Sequence, residues 1–299
     1  MKVFLRVLKR NVKMFFKDKG LFFTSLITPL ILLVLYATFL SNVYRDSINT
    51  IFKGMGNPID DKLLNGLVGG QLFSSLLAVS CVTVSFCSNM LMVQDKVSGA
   101  RKDMLITPVK RSTLAFGYYF STLISTLIIC FIACGACIIY VALTGWYMSF
   151  TDVLLVLLDV FILVTFGTAL SSVINFFLSS QGQISAVGSI VSSCYGFICG
   201  AYMPISSFGA GLREVIMFMP GTYGTSLIRN HTLNGALTEL SKTYPPEAVS
   251  GLKDAIDCNL YFFGTRVEVS TMYLVTVLTV VVLVGAYVLI NVLSKGKNK

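Results

Sequence analysis

The sequence predicts an all-α polytopic membrane protein with six transmembrane helices, and three observations lead there. Of its 299 residues, 55% are hydrophobic and only 12% charged, at a mean hydropathy of +0.79. A soluble domain carries about 25% charged residues. Six apolar runs, at about 21–40, 67–93, 114–141, 152–178, 184–202 and 269–293, are each long enough to cross a bilayer. About 20 helical residues at 1.5 Å rise cover the ~30 Å hydrocarbon core. The charges gather in the segments between these runs, with opposite excesses on alternate sides. Lipid is then the solvent, and helices are the structure that satisfies the backbone inside it.

Residues 1–20 predict an amphipathic helix lying in the membrane interface. Phe4, Leu8, Val12, Phe15 and Phe16 recur at three- and four-residue spacing, with Lys2, Arg6, Lys9, Arg10, Lys13 and Lys17 on the other side. Such a helix sets lysines among anionic headgroups and aromatic rings among acyl chains. The rest, 21–299, is the six-span domain. The first run is too long for a signal-peptide core and has no Ala-x-Ala-like cleavage site after it, so it is expected to be retained. Pro29 is expected to kink it. Residues 41–66, with Gly54, Gly56, Asn57 and Pro58, read as a polar loop. Trp146 and Tyr147 suit an interfacial position.

Between the second and third runs lies a short basic segment, Val97 to Ser112. Bounded by two bilayer crossings, it must sit in water at one membrane face. Ala100–Ile106 favours helix, and Thr107-Pro108 reads as an N-cap followed by proline at the first helical position. Lysine and arginine number 7 in residues 1–20, 5 in 94–113 and 3 in 294–299, which is 15 of the 23, against three acidic residues. The opposite loops, 41–66 and 203–268, hold 3 and 5 against nine acidic residues. Such an excess marks the cytoplasm, so both termini and Val97–Ser112 are expected there. The net charge of +9 is thereby a topology signal, and nucleic-acid binding drops out.

Seven of the eight cysteines lie in the apolar runs and only Cys258 outside, so no disulfide framework is expected. Cys130, Cys134 and Cys137 share a helix face; they read as small apolar packing residues rather than metal ligands. Asp159 is the one acidic residue well inside a run, and a hydrated or hydrogen-bonded carboxylate is expected there. The outer segment 203–268 contains a mostly apolar stretch between Pro204 and Pro220 that is too short to span, hence a re-entrant or interfacial helix. The polar part beyond Thr232, with Pro245-Pro246 at its centre, reads as a small cap or a partly disordered loop.

Four stretches in this order resemble the permease subunit of a type 2 ATP-binding-cassette (ABC) exporter. They are Phe16-Lys17-Asp18-Lys19-Gly20 before the first span; Gly99-Ala100-Arg101-Lys102-Asp103 with Thr107-Pro108-Val109-Lys110-Arg111; Gly200-Ala201-Tyr202-Met203-Pro204; and Met219-Pro220-Gly221-Thr222-Tyr223 with Leu227-Ile228-Arg229. The likeness runs from end to end except about 235–266, and the chain has Gln94-Asp95-Lys96 where the family often has Glu-Arg-Glu.

The resemblance implies a division of labour. The chain contains no Gly-x-x-x-x-Gly-Lys-(Ser/Thr) phosphate loop, so it would be no enzyme, with no metal or cofactor of its own. ATP and Mg would be bound by two separate ABC ATPase subunits. A second permease copy or a homologous permease would complete the path, in contact with membrane lipids, in a bacterial cell membrane. Residues 97–106 would be the coupling helix, with Gly99, Arg101, Lys102, Asp103, Thr107, Pro108 and Arg111 as coupling residues. Lys9, Lys13, Phe16 and Lys17 would form the working face of the interfacial helix. Ser192, Gly196 and Gly200, a small-xxx-small stripe, would form the dimer seam. Pro204, Pro220, Tyr223 and Arg229 would shape the outer gate, with re-entrant helices between spans five and six. Related exporters move drugs, lipid-linked polysaccharides, peptides or amphiphiles. The apolar lining and near absence of tryptophan favour a lipophilic or amphipathic small molecule or peptide over a polysaccharide. A secondary transporter, which would need inverted repeats, and a non-transporting immunity or sensor protein are the competing classes.

Overall fold

A helix that is small or apolar on every side has no reason to face lipid more than protein, and the fold is built around one. The computed structural model describes residues 2–53, 59–106 and 109–293. In chain order the helices are α1 (Lys2–Lys17), α2 (Lys19–Leu35), α3 (Ser41–Phe52), α4 (Asp61–Val97), α5 (Ala100–Ile106), α6 (Arg111–Thr144), α7 (Phe150–Phe177), α8 (Gln181–Ile198), α9 (Ala210–Met217), α10 (Pro220–Thr243), α11 (Pro246–Ala255) and α12 (Val269–Leu293). A two-stranded antiparallel hairpin, β1 (Leu260–Phe262) and β2 (Thr265–Val267), precedes α12.

The central pillar is α4, packed by α2, α6, α7, α8 and α10. Gly66, Gly69, Gly70, Ser74, Ser75, Ala78, Ser80, Cys81, Ser85 and Ser88 are spread around it, so neighbours approach on all sides. A Cβ on Gly167 of α7 would stand 2.8 Å from the Cys81 carbonyl oxygen and 3.0 Å from Val82 Cα, which requires glycine at that crossing. Deeper along the same pair, Asn89 Nδ2 donates to Ser171 and Ser172 Oγ, both at 3.0 Å. Cys130, Cys134 and Cys137 sit within the apolar core of this bundle.

Among the described residues, five helices are long and apolar enough to cross a membrane: Lys19–Phe52, Asp61–Val97, Arg111–Thr144, Phe150–Phe177 and Val269–Leu293. The first is one continuous rod in which a π-helical turn, Tyr36–Leu40, joins α2 to α3. There the Tyr36 hydroxyl donates to the Val68 carbonyl and the ring stacks on Tyr44 at 5.9 Å. The expectation of a polar loop from 41 is therefore corrected. Tyr44, Ile48 and Phe52, four residues apart, are buried on one face, and Phe52 packs on Tyr244 at 4.7 Å. Polar residues on the other faces hid this stripe from a hydropathy reading; Gly54–Pro58 lie outside the described residues.

The expected fifth span, 184–202, overlaps α8 (Gln181–Ile198), which has 18 residues, or about 27 Å of helix, and is not one of these five. Gln181, Gln183 and its serines make it less apolar than the five, and it starts in a capping box between Ser180 and Gln183. Residues 235–266 are folded: α10 continues to Thr243, and α11 and the hairpin follow. The direction of α10 follows from its contacts. Gly224 meets Leu163, His231 meets Asp159 and Asn234 meets Asp152, so α10 climbs from within the bundle toward the start of α7.

Gly167→Val should lower stability by about 1–3 kcal/mol, read as an earlier thermal onset of labelling of the buried cysteines by a thiol-reactive dye. An unchanged onset would mean that α4 and α7 do not approach as described.

Candidate functional sites at the two ends of the bundle

At the end of the bundle where α4 finishes, Gly99 has φ of +85°, a left-handed conformation that only glycine adopts without strain. It ends α4 through Gly99 N–H to the Lys96 carbonyl, and its own carbonyl accepts from Lys102 and Asp103 N–H to start α5. α5 lies across the bundle end with Met104 and Leu105 turned toward Val7, Met92, Leu114 and Tyr118. Lys102 and Asp103 are exposed, and Ile106 is 83% exposed, while Arg101 is half-buried. Thr107 and Pro108 lie outside the described residues; Arg111 opens α6.

α1 is held on this end by chemistry the sequence did not reveal. Arg10 donates to both carboxylate oxygens of Asp95, at 2.7 and 3.0 Å, and the Tyr118 hydroxyl donates to Asp95 Oδ2 at 2.6 Å. One buried carboxylate thus ties α1, α4 and α6, and it raises the Arg10 pKa above its ordinary value. Val7 meets Gly117, and Phe4 packs edge-on to Phe120 at 5.9 Å. Phe15 and Phe16 pack toward Phe22. Lys9, Lys13 and Lys17 are exposed. Next to Asp95, Lys96 Nζ donates to the Asn175, Phe176 and Leu178 carbonyls, capping the negative end of α7.

At the other end, Arg229 of α10 is 1% exposed and is satisfied on all three nitrogens. Nε donates to Ser74 Oγ (3.4 Å) and Nη2 to Ser75 Oγ (3.3 Å) and to the Gly200 carbonyl (2.9 Å). Nη1 donates to the Ile256 carbonyl (2.9 Å) and to Asp257 Oδ2 (3.3 Å). Asp257 in turn accepts from Ile205 N–H at 3.1 and 2.9 Å. The clasp joins α4, the end of α8, the turn after Pro204 and the loop after α11. Around it, Tyr223 donates to the Met217 carbonyl at 2.6 Å, and Pro220 starts α10 at its first position. Of the predicted outer-gate residues, Arg229 forms this node and Pro204 precedes Ile205, whose N–H donates to Asp257, while Pro220 and Tyr223 lie at the start of α10. Of the predicted seam, Ser192 is half-buried, Gly196 packs under the chain's own Tyr202 ring, and Gly200 has φ of +70°. The face of α8 left exposed carries Ser185, Ser189, Ser193 and Phe197.

A third polar cluster ties α7, α10 and α12. His231 Nδ1 lies 2.6 Å from Asp159 Oδ2, and the Tyr273 hydroxyl donates to Asp159 Oδ1. Asp159 is thus hydrogen-bonded rather than bare, by partners that stand more than 70 residues away in the chain.

The sequence profile of the family described as ABC-2 type transporter matches residues 2–232. The chain belongs to this family. It is a multi-pass membrane protein and the permease component of an ABC-2 transporter, a family whose permeases work with ATPase subunits and are generally non-catalytic themselves. A search of curated proteins finds no match. The matched region includes α5 and Arg229 of the permease, and ends before Asp257.

Burial pushes Asp257 up to about 6, against the pull of Arg229. With an unfolded value near 3.9, the folded permease holds the extra proton between about pH 4 and 6. Its contribution to stability is therefore full below pH 4 and is lost as pH rises through 6. Thermal melting across pH 4–7 should show this fall, and Asp257→Asn should flatten it. Arg229→Leu alone, which strands a buried carboxyl, should cost about 3 kcal/mol, and adding Asp257→Leu should recover part of that loss. Additive losses would show that the two groups do not interact.

Proposed function

We propose that the chain is an exporter permease that pairs with a second copy or a homologue and is driven by two ATPase subunits, which bind ATP and Mg. In this reading α8, prolonged by the turn to Tyr202, is the sixth crossing. Both termini and α5 face the cytoplasm, and α9 with the first half of α10 forms the re-entrant outer segment. The observation that carries the reading is the exposed apex of α5: Lys102, Asp103 and Ile106 project from a helix joined through one glycine to the buried pillar α4. A leucine-sized apolar side chain left in water beside two charges suits the rim and core of a protein contact. A partner pressing there moves α4, and nearer its midpoint α4 carries Ser74 and Ser75 under Arg229. Nucleotide-driven work then reaches the outer clasp through one rigid element, provided the ATPases bind the two permease states with different affinity.

The substrate class is proposed as lipophilic or amphipathic. A groove of about 760 Å³ between α2, α4 and α6 is lined by Phe22, Leu26, Leu33, Leu72 and Phe73 and opens sideways where lipid would be. For the second copy, the exposed faces of α2 and α8 offer the seam, with Ser185, Ser189 and Ser193 allowing close approach.

The test is reconstitution with the cognate ATPases. Lys102→Glu with Asp103→Lys should abolish permease-dependent stimulation of ATP hydrolysis and cut transport by about tenfold or more, while the thermal onset stays that of the parent. Transport and stimulation at parental rates would overturn the coupling assignment.

A further inference from the structure

The coupling residues predicted from the sequence do not all face outward. Arg101 and Arg111 turn inward, and with Lys96 and Lys102 they line a cavity of about 280 Å³ between the ends of α4, α6, α7 and α12. Among the described residues its lining holds four cations and no carboxylate. The nearby acids are accounted for: Asp95 is taken by Arg10 and Tyr118, and Asp103 is exposed on the far side of α5. Among the described residues the ion pairs leave Arg101, Lys102 and Arg111 without a carboxylate partner. Lys96 is fixed by the carbonyls that end α7, so its charge cannot swing away from the pocket.

Four cations held in one half-enclosed space repel one another, and they are stabilised by an anion. A second groove, of about 340 Å³, continues from this pocket. The two share Arg111 and Asn291, and the second runs between α6 and α12 over Ala115, Phe116, Val288 and Val292. Both helices are bilayer-length, and these are their ends, so the pocket lies at headgroup depth and the groove at the start of the acyl region. A cationic pocket opening onto an apolar groove at that depth matches one kind of molecule, an anion with a fatty tail.

We propose that this is a site for an anionic phospholipid of the cytoplasmic leaflet. Its phosphate is bound by Arg101 and Arg111, with Lys102 at the rim, and one acyl chain lies against Phe116 and Val288. The placement in that leaflet rests on the topology proposed above; the site itself does not. Bound lipid neutralises the inner face of α5 and braces it against α6 and α12. The angle at which Lys102, Asp103 and Ile106 are presented then depends on the membrane's anionic content. The arginines suit this work because a planar guanidinium grips phosphate in two places.

Quenching by brominated lipid tests the site. The full chain carries one tryptophan, Trp146, at the far end of α6. In a Trp146→Phe background, Phe116→Trp places a reporter in the groove. The protein is reconstituted in symmetric vesicles of phosphatidylcholine and phosphatidylglycerol, with bromine on the acyl chains of one or the other. Brominated phosphatidylglycerol should quench the reporter indole with an apparent preference of about fivefold or more over brominated phosphatidylcholine. Arg101→Gln with Arg111→Gln should bring the preference to about one. Arg111→Lys should keep much of it, and Lys242→Gln with Lys253→Gln, which removes the same charge from α10 and α11 away from the pocket, should leave it unchanged. Equal quenching by the two lipids would overturn the proposal, as would a preference lost equally on changing Lys242 and Lys253. Loss of the preference on adding millimolar inorganic phosphate would show a free-anion site instead and would also overturn it. Because the vesicles are symmetric and no ATPase is present, failure here leaves the coupling reading untouched. Failure of ATPase coupling likewise leaves the lipid result standing.

Discussion

A guanidinium almost wholly removed from water must find a partner for every N–H, and Arg229 imposes that demand on every segment packed around it. Its five hydrogen bonds draw on Ser74 and Ser75 from the pillar, the Gly200 carbonyl from the end of α8, and Ile256 with Asp257 from the cap. These three segments are far apart in the chain, so the node can form only when the pillar, the turn after α8 and the loop after α11 are all in place. Breaking it would strand a charge in an apolar setting, which costs far more than the pair contributes when made.

The pillar gives the clasp its connection to the opposite end. α4 is buried along nearly its full 37 residues, large apolar side chains alternating with small and weakly polar ones that let its neighbours approach closely. At its other terminus, Asp95 and Lys96 secure α1 and the end of α7, and Gly99 turns the chain into α5. Charged groups therefore stand at the C-terminal end of this stiff element and, through Arg229, near its midpoint at Ser74 and Ser75, with Asn89 and close packing between them. In the coupling proposed above, a displacement applied to α5 would reach Ser74 and Ser75 as movement of a rod rather than as a chain of side-chain adjustments.

How much of this was legible in the sequence depended on whether the signal was local. Apolar length located the five long helices, and Gly99 followed by a charged, helix-favouring stretch located α5, because each signal lies within one window of residues. Arg229 and Tyr223 came from their place in a recognisable order of motifs. The partners did not. Asp257 lies in a polar stretch beyond the family likeness, with nothing local to distinguish it from any other exposed acid. The pairing of Arg10 with Asp95 spans 85 residues, and that of His231 with Asp159 spans 72. The continuation of α2 into α3 was missed because its apolar stripe is one residue in four, too sparse for hydropathy though regular for a helix. Gly196 and Gly200 matched a pattern used between helices, yet their own chain's Tyr202 ring and the Arg229 clasp account for the space and the carbonyl they provide.

Everything proposed about work and direction depends on the basic end and the clasped end facing opposite sides of the membrane, the basic end inward. Labelling of single introduced cysteines in intact cells with a membrane-impermeant maleimide, scored against the parent chain, measures that directly. The account predicts that Phe263→Cys, on the exposed hairpin beside the clasp, reacts in intact cells, and that Lys102→Cys reacts only after the membrane is permeabilised. Labelling of Lys102→Cys from outside, with Phe263→Cys protected, would contradict it.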